Sequence, residues 1–334
     1  MTGIDITAPP ATPDFVQFRE GFGQRFIVTV DTEEEFDWGA PLDRHRNGLT
    51  AVPAMRRFQQ FCEGFGVAPI YLMDYPVADS PLAADALGEA IRSGKAEAGI
   101  HLHPWVNPPY EEEVNNYNSF AGNLSPALER EKFRLLTERI AAAIGAAPTI
   151  YRAGRYGLGP DSAAMLDDFG IAIDTSVRPL FDYSDMGAPD YSSHPLRPYW
   201  IDRERRLMEL PLTTAYWGML RQLGSWLYPA LKRAPTLRGA LAKLGMLERI
   251  PLTPEGVTAE EAIRGMDIAL DAGLPLLVFS FHSPSLAPGH TPYVRNERDL
   301  EAFYDWWRQV FAYLARRNIA PTSAKEILQA VTLA

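Results

Sequence analysis

Short apolar runs alternate with segments of helical periodicity along most of this 334-residue chain. Seven apolar runs predict strands, at 26–30, 68–73, 97–102, 149–152, 171–175, 208–212 and 274–281. The main helical periods between and after them fall at about 50–65, 83–93, 125–144, 161–169 and 297–316. Sustained strand–helix alternation is typical of a parallel sheet covered by helices. About seven units with short links predict an α/β fold that forms a closed or nearly closed barrel.

Composition indicates a soluble globular protein, and its length allows one large barrel or two domains. Because the strand–helix pattern shows no boundary, we expect one domain over 26–334, preceded by a Pro-, Thr- and Gly-rich arm at 1–25. The net charge of −10 argues against general attraction to nucleic acid or to an anionic membrane. The single cysteine, Cys62, excludes an intrachain disulfide. The first residues lack the pattern of a signal peptide, and no apolar run is long enough to span a membrane. We therefore expect a cytoplasmic protein.

The first predicted strand runs directly into a group of acids in the sequence FIVTVDTEEEFDW. Carboxylates at the C-terminal end of a buried parallel strand occupy the place where α/β barrels carry their chemistry. A bound cation would offset the repulsion between crowded carboxylates. A solvated acidic turn is the alternative interpretation. The acids are Asp31, Glu33, Glu34, Glu35 and Asp37.

Other polar residues follow the later predicted strands, and three of the six histidines are among them. His101 and His103 form an HxH motif, which places two imidazoles on one side of an extended segment. Imidazole with carboxylate is a typical ligand mixture for zinc or another first-row cation. In the alternative interpretation, one histidine packs and the other faces solvent. The remaining strand ends carry Asp74, Arg152 with Arg155 and Tyr156, Asp174, Glu209 and His282.

The order of these motifs resembles the polysaccharide deacetylase (NodB homology) superfamily, carbohydrate esterase family 4. The segments YRAGRYGLG, DTSVRP, LPL, FSFHSPSL and PYVRNERDLEAF resemble a subgroup found in exopolysaccharide gene clusters. The resemblance covers about 26–330. It implies a distorted (β/α)7 barrel and hydrolysis of an N-acetyl or O-acetyl group on a sugar or glycan. It also implies a divalent metal, for which we predict Zn²⁺.

The resemblance also implies roles for individual residues. Asp31 corresponds to the general base, Arg152 to the arginine that holds it, and His282 to the general acid. Glu33, His101 and His103 correspond to the metal ligands, and Glu34 competes with Glu33 for that role. Asp174 is the candidate for the carboxylate that keeps His282 cationic. We further predict that the carbohydrate or acylated substrate is contacted by Glu34, Trp105, Arg155, Tyr156 and Asp174.

Two departures from the family pattern concern the metal site. Asp-Thr-Glu-Glu replaces the usual Asp-Asp-Gly, and the histidines are two residues apart rather than four. A catalytically silent member that binds glycan or a partner protein is therefore one alternative. Another metal-dependent amide hydrolase, such as an amidohydrolase, is a second, although that class places HxH after the first strand. The chain lacks a Gly-rich phosphate loop after its first strand, which argues against a nucleotide-binding fold.

Residues 215–250 interrupt the alternation and are much longer than an ordinary connection. They contain six basic residues and one acid, with many large apolar side chains, including Trp217 and Trp226. One interpretation is a helical lid whose aromatic rings stack on sugars and whose bases contact phosphate or an anionic membrane surface. The other is a pair of extra helices that cover the side of the barrel.

Overall fold

The structure is a computed structural model that describes residues 5–202 and 204–332, without the side chain of Arg233. Its strands are Asp14–Phe15 (β1), Arg25–Thr32 (β2), Ile70–Met73 (β3), Glu97–Leu102 (β4), Ile150–Ala153 (β5), Ile173–Asp174 (β6), Tyr199–Trp200 (β7), Met208–Glu209 (β8), Thr214–Trp217 (β9), Glu248–Pro251 (β10), Leu276–His282 (β11) and Ala320–Pro321 (β12). Its α-helices are Met55–Glu63 (α1), Tyr75–Asp79 (α2), Pro81–Arg92 (α3), Pro126–Ile144 (α4), Ser162–Asp168 (α5), Gly224–Ala230 (α6), Pro235–Lys243 (α7), Ala259–Asp271 (α8), Glu297–Arg316 (α9) and Ala324–Ala330 (α10).

The centre of the main sheet consists of parallel strands in the order β11-β2-β3-β4-β5-β6-β8. These seven strands coincide with the seven predicted apolar runs, and they confirm the predicted fold class. β7 and β1 extend the sheet beyond β8 in antiparallel pairing, and β12 pairs with the start of β2. The predicted strand at 208–212 is shorter than expected, since its regular pairing ends at Glu209.

The two ends of this curved sheet are joined by a few hydrogen bonds. The Thr213 backbone N–H donates to the Val278 carbonyl at 3.2 Å, and the Val278 N–H donates to Thr213 Oγ1 at 2.9 Å. The Ser280 N–H also donates to the Leu252 carbonyl at 3.2 Å. The barrel is therefore distorted at this seam, where irregular chain lies between β8 and β11.

Strand periodicity decides which polar groups face the barrel interior. Ile27 packs in the inner apolar cluster with Val278, whereas Phe26 and Val28 pack in the outer cluster beneath the helices. Because alternate side chains on a strand share a face, Thr29 and Asp31 continue the inward face of Ile27. The interior is thus apolar at the bottom and becomes polar towards the C-terminal ends of the strands.

The predicted arm is partly built into the sheet. Asp14 and Phe15 pair with β7, and the side chains of Val16 and Phe22 are buried. The Arg19 N–H donates to the Ala330 carbonyl at 2.7 Å. Residues 1–4 lie outside the described part of the chain, so the arm at 1–25 as a separate unit stays a prediction.

The segment 215–250 contains two helices, α6 and α7, between the antiparallel strands β9 and β10. Trp217 is half-buried and lies under the Arg264 guanidinium of α8, at 4.2 Å from ring centre to Cζ. Trp226 is 73% exposed. Lys232 pairs with Asp182 at 2.8 Å and Asp185 at 2.6 Å, as the side-covering interpretation anticipates. Arg233 was counted among the six bases, but its side chain is outside the described set. Within the described residues, no helix is long and apolar enough to cross a membrane.

A buried lysine fixes the loop that follows β4. The ammonium group of Lys132 on α4 donates to the carbonyls of Pro104, Asn107 and Pro109 at 3.0, 2.6 and 2.7 Å. It also lies 2.9 Å from Glu112 Oε2, and its side chain is fully buried. This one group therefore satisfies several acceptors of the loop directly after His103.

Replacing Lys132 by Met should lower the free energy of unfolding by about 3–5 kcal/mol, because Glu112 and the carbonyls would remain buried without their donor. Urea unfolding at pH 7 measures this difference. Lys95→Met is the matched control, since Lys95 pairs with Glu63 at 2.8 Å while 59% exposed. That surface pair should contribute below about 1 kcal/mol. Equal losses in the two variants would contradict this role for Lys132.

Candidate active site

A cleft of about 460 Å³ opens at the C-terminal ends of the parallel strands. Its floor is formed by polar residues from β2, β4 and β11 and the segments that follow them. The predicted site residues Glu34, Trp105, Arg152 and Asp174 are not among those that line it, as far as the described residues go. The lining residues are Asp31, Glu33, Phe36, Asp37, Trp38, Ala40, Pro41, Leu42, His101, His103, Val114, Asn115, Asn116, Arg155, Tyr156 and His282.

Glu33, His101 and His103 converge at the floor of the cleft. Glu33 Oε2 lies 3.6 Å from His101 Nε2 and 3.4 Å from His103 Nε2. All three side chains are buried. β3 lies between β2 and β4, and these side chains are carried inward from the ends of those two strands. The structure therefore brings together the three predicted metal ligands, whose role as ligands stays a prediction.

The other nitrogen of each imidazole faces an acceptor. His101 Nδ1 lies 3.1 Å from the Arg152 carbonyl, and His103 Nδ1 lies 2.9 Å from Glu34 Oε2. These contacts assign the proton to Nδ1 in both rings and leave the Nε2 lone pairs facing Glu33. Metal-binding histidines typically have their second nitrogen oriented by an acceptor in this way.

The donor set fits a divalent first-row cation. Glu33 Oε1 is buried and makes no hydrogen bond within the described residues, so it has the free lone pairs that a ligand requires. Two imidazole nitrogens and a carboxylate are the protein ligands of many catalytic zinc sites. Glu34, Asp74 and His103 form a second group of close ligand atoms, but Glu34 approaches His103 from its Nδ1 side.

Burial sets the charge states in this cluster. It lowers the pKa of His103 to about 4 and also lowers the pKa of His101. It raises the pKa of Glu33 to about 7, although His282 and His101 each act to lower that pKa. Both imidazoles are therefore neutral near pH 7, the form in which they bind metals, while a proton competes for Glu33.

Asp31 forms a buried ion pair with Arg152. Arg152 Nη1 donates to Asp31 Oδ1, Nη2 donates to Thr29 Oγ1 at 2.8 Å, and Nε donates to the Thr175 carbonyl at 2.9 Å. Burial alone would raise the pKa of Asp31, but Arg152, with His101 and His282, lowers that pKa to about 2. Asp31 is thus a fixed anion at the cleft floor. Arg152 lies behind it and does not line the cleft.

His282 lies on the opposite side of Asp31, with its Nε2 3.9 Å from Asp31 Oδ2. Its Nδ1 is 2.7 Å from Glu255 Oε2, and Ser285 Oγ donates to the other Glu255 oxygen at 2.6 Å. Burial opposes the charged ring, but Glu255, Glu33 and Asp31 together raise the pKa of His282 to about 10. His282 is therefore cationic at neutral pH.

Glu255 was missed by the sequence analysis, which named Asp174 as the carboxylate beside His282. That assignment is wrong: Asp174 accepts hydrogen bonds from Ser176 instead, with Oγ donating at 2.7 Å. Asp174 follows Ile173, whose side chain packs in the inner cluster, so strand alternation turns Asp174 outward. The only sequence signal for Glu255 was an acid in the Pro-Glu-Gly turn that precedes α8.

Two other predicted substrate residues are buried beside the metal cluster. Glu34 is fully buried, and its backbone N–H donates to Asp74 Oδ2 at 2.6 Å. Trp105 is 2% exposed and stacks on His103, with ring centres 4.3 Å apart. Both side chains hold His103 from behind in this structure, and their contact with substrate stays a prediction.

An aromatic wall that the sequence analysis did not single out borders the cleft beside His282. Trp38 meets the His282 ring edge-on at 4.9 Å between ring centres, and it meets Tyr293 similarly at 5.8 Å. Phe36 stacks parallel to Trp38 at 5.6 Å. The Trp38 side chain is partly exposed, so one amphipathic ring is available to a ligand.

These features define a distorted barrel of seven parallel strands with a histidine–carboxylate cluster at the C-terminal ends. No protein-family model and no curated protein matches the chain. Solved structures do, and one is a GH57 branching enzyme from Thermococcus kodakaraensis in complex with glucose. It shares 11% identity at a TM-score of 0.51 over 92% of this chain and 71% of that chain, a likeness that shows the fold alone.

Two further similar structures have lower TM-scores. One is a Mycobacterium smegmatis protein described as a polysaccharide deacetylase, with 16% identity and a TM-score of 0.47 over 93% of this chain and 97% of that chain. The other is a peptidoglycan N-acetylglucosamine deacetylase, with 11% identity and a TM-score of 0.46 over 95% and 92%. The structural neighbours thus include polysaccharide deacetylases at low sequence identity.

Proposed function

We propose that this protein is a metal-dependent hydrolase that removes an acetyl group from a sugar or glycan, with N-acetyl favoured over O-acetyl. The observation that carries the proposal is the convergence of three elements on one cleft. The elements are the Glu33–His101–His103 cluster, the Asp31–Arg152 pair and the His282–Glu255 pair. Together they provide ligands for a cation, a fixed anion and a cationic acid.

A divalent cation held by Glu33, His101 and His103 would polarise the acyl oxygen and lower the pKa of a bound water. Asp31 is ionised and accepts the proton of the attacking water. A carboxylate with a pKa of about 2 is a weak base, so proton transfer to Asp31 would require a water made more acidic, as a bound cation would supply. Arg152 holds Asp31 in place. His282 carries the proton on Nε2 and donates it to the departing amine, while Glu255 orients the ring through Nδ1.

The finer assignments form part of the same proposal. The metal is Zn²⁺, in keeping with two imidazoles and one carboxylate. The substrate is an acetylated sugar unit of a cytoplasmic exopolysaccharide route, and the support for this is the motif resemblance. Trp38 is placed to stack on a sugar face, because its partly exposed ring lies beside His282.

Released acetate should be detected when the purified protein, loaded with Zn²⁺, is incubated with a panel of N-acetylated and O-acetylated sugars. The panel distinguishes amide from ester hydrolysis, because each N-acetyl sugar has an O-acetyl counterpart. Metal content of protein purified without chelator is measured in parallel. Stoichiometric metal without acetate would point to a different acyl or amide substrate. Absence of both metal and acetate would favour a silent binding protein.

A further inference from the structure

We propose that Arg155 binds an anionic group of the substrate, a phosphate or a carboxylate attached to the acetylated sugar. This inference rests on the proposed function and specifies its substrate class. Arg155 follows β5 and lines the same cleft as Asp31 and His282. An anion bound there would lie on the substrate that reaches the catalytic groups.

The Arg155 side chain is held in place on one side. Its Nη1 donates to Asn116 Oδ1 at 2.9 Å and to Ser119 Oγ, and its Cζ lies 4.4 Å from the centre of the Phe120 ring. Arg155 and Tyr156 have φ angles of 56° and 62°, in the left-handed region that is unfavourable for both residue types. Such strained backbone persists where surrounding contacts impose it, and it is concentrated at functional sites.

The other side of this guanidinium has no partner among the residues that the structure describes. Within the described residues, Arg155 forms no ion pair, and the hydrogen bonds it makes all come from Nη1. Nε and Nη2 therefore form a free fork at a half-buried position in the cleft. A planar fork of two N–H donors matches the geometry of a carboxylate or phosphate, which accept two parallel hydrogen bonds.

A second arginine, Arg178, adds positive charge behind the cleft residue Tyr156. The Cζ of Arg178 lies 5.1 Å from the Tyr156 ring centre and 3.9 Å from that of Phe181. Its Nη1 donates to the Tyr183 hydroxyl at 2.9 Å, and no carboxylate pairs with it in the described chain. Burial holds the pKa of Tyr156 well above its ordinary value, so that phenol is neutral.

The charge balance makes this arrangement informative. The chain has ten more acids than bases, yet neither Arg155 nor Arg178 has an acid partner among the described residues. The exposed carboxylate of Asp37 also lines the cleft, and its Oδ1 accepts from the Gly39 N–H at 2.8 Å. A neutral sugar hydroxyl would leave the guanidinium charge unbalanced in a half-buried site, whereas an anionic group would neutralise it.

The test compares Arg155→Gln with the wild type on three substrates. These are neutral N-acetylglucosamine, its 1-phosphate, and the corresponding uronic acid, which carries a carboxylate. Arg155→Gln should lower kcat/KM for the favoured anionic substrate on the order of ten- to a hundredfold, and for the neutral sugar by less than about threefold. For the anionic substrate, kcat/KM of Arg155→Lys should lie between those of the wild type and Arg155→Gln, since lysine keeps the charge but lacks the two parallel N–H donors. The anionic substrate that Arg155→Gln affects more strongly shows whether Arg155 binds a phosphate or a carboxylate.

Arg46→Gln is the matched control, because it removes one exposed positive charge outside the cleft. Equal losses on neutral and anionic substrates in Arg155→Gln would show a structural role and overturn the inference. So would a wild type that does not prefer either anion. If no sugar releases acetate, the proposed function fails separately. Calorimetric measurement of the binding of the 1-phosphate and the uronic acid then tests the inference about Arg155 without relying on hydrolysis. Binding that Arg155→Gln weakens supports the inference, and no binding to the wild type overturns it.

Discussion

Replacing Asp31 by Asn is expected to lower kcat for acetyl hydrolysis by about two or more orders of magnitude, the scale of a general acid–base group. The amide cannot accept a proton from water, although its shape is almost unchanged. Asp31 supplies none of the ligand atoms of the Glu33–His101–His103 cluster, and loss of its charge would favour the neutral form of both imidazoles, so bound metal should remain. Steady-state acetate release and metal content of the same preparation measure the two properties together.

The variant also leaves the fully buried Arg152 without its anionic partner, which can destabilise the fold by several kcal/mol. Circular dichroism and thermal unfolding therefore accompany the kinetics. Thr29 and Thr175 still accept hydrogen bonds from Arg152 and should keep it in position. Loss of metal in Asp31→Asn, with metal retained in Glu33→Gln, would mean that the two carboxylates have exchanged roles.

The strands were predictable because seven apolar runs are separated by clear helical periods. The helix predicted at about 125–144 is confirmed, and capping residues lie at both of its ends. Ser125 Oγ accepts from the Leu128 N–H at 3.4 Å at the start of α4, and Gly145 ends that helix with φ of 80°. The seam between β8 and β11 was not predictable, because it depends on hydrogen bonds of Thr213 to a strand 65 residues away.

The candidate site shows where strand-end reasoning succeeds and where it fails. Asp31, His101 and His282 lie on the inward face of their strands, and the structure brings them together in the cleft. Asp174 lies at the end of its strand too, but on the outward face. Strand alternation counted from Ile173 would have excluded it. Glu255 could not be found this way, since tertiary packing alone brings the turn before α8 to His282.

The segment 215–250 illustrates a different limit. Its basic and aromatic composition did not distinguish a lid from a side layer. In the described chain, no residue of this segment lines the cleft. Arg249 reaches towards it indirectly: its Nη1 donates to the Leu180 carbonyl at 2.7 Å, and its Cζ lies 3.4 Å from the Phe181 ring centre. Phe181 in turn contacts Arg178, which packs on the cleft residue Tyr156. In this structure the segment therefore packs against residues that lie behind Tyr156, and it does not cover the mouth of the cleft.

Replacing His103 by Ala is expected to abolish stoichiometric metal binding and, with it, acetate release. The Nε2 atoms of His103 and His101 are the two nitrogens that face Glu33, so the variant removes one of three donors. The protein should remain folded, because Lys132 and the strand ladder hold this loop independently. His45→Ala is the control, since His45 is an exposed histidine outside the cleft. Full metal content in His103→Ala would contradict the assignment.

The pH dependence of the wild type distinguishes the metal cluster from the acid–base pair. Because Glu33 has a pKa of about 7, its proton competes with the cation below pH 7, and apparent affinity should fall about tenfold per pH unit there. Asp31, with a pKa of about 2, stays ionised over this range. The acidic limb of the rate profile should therefore move to lower pH as total Zn²⁺ is raised. An acidic limb that does not move with Zn²⁺ would mean that Glu33 is not the competing ligand. The alkaline limb should follow the loss of the His282 proton, at a pH below about 10, because a cation on Glu33 would offset part of the negative charge that raises the pKa of His282.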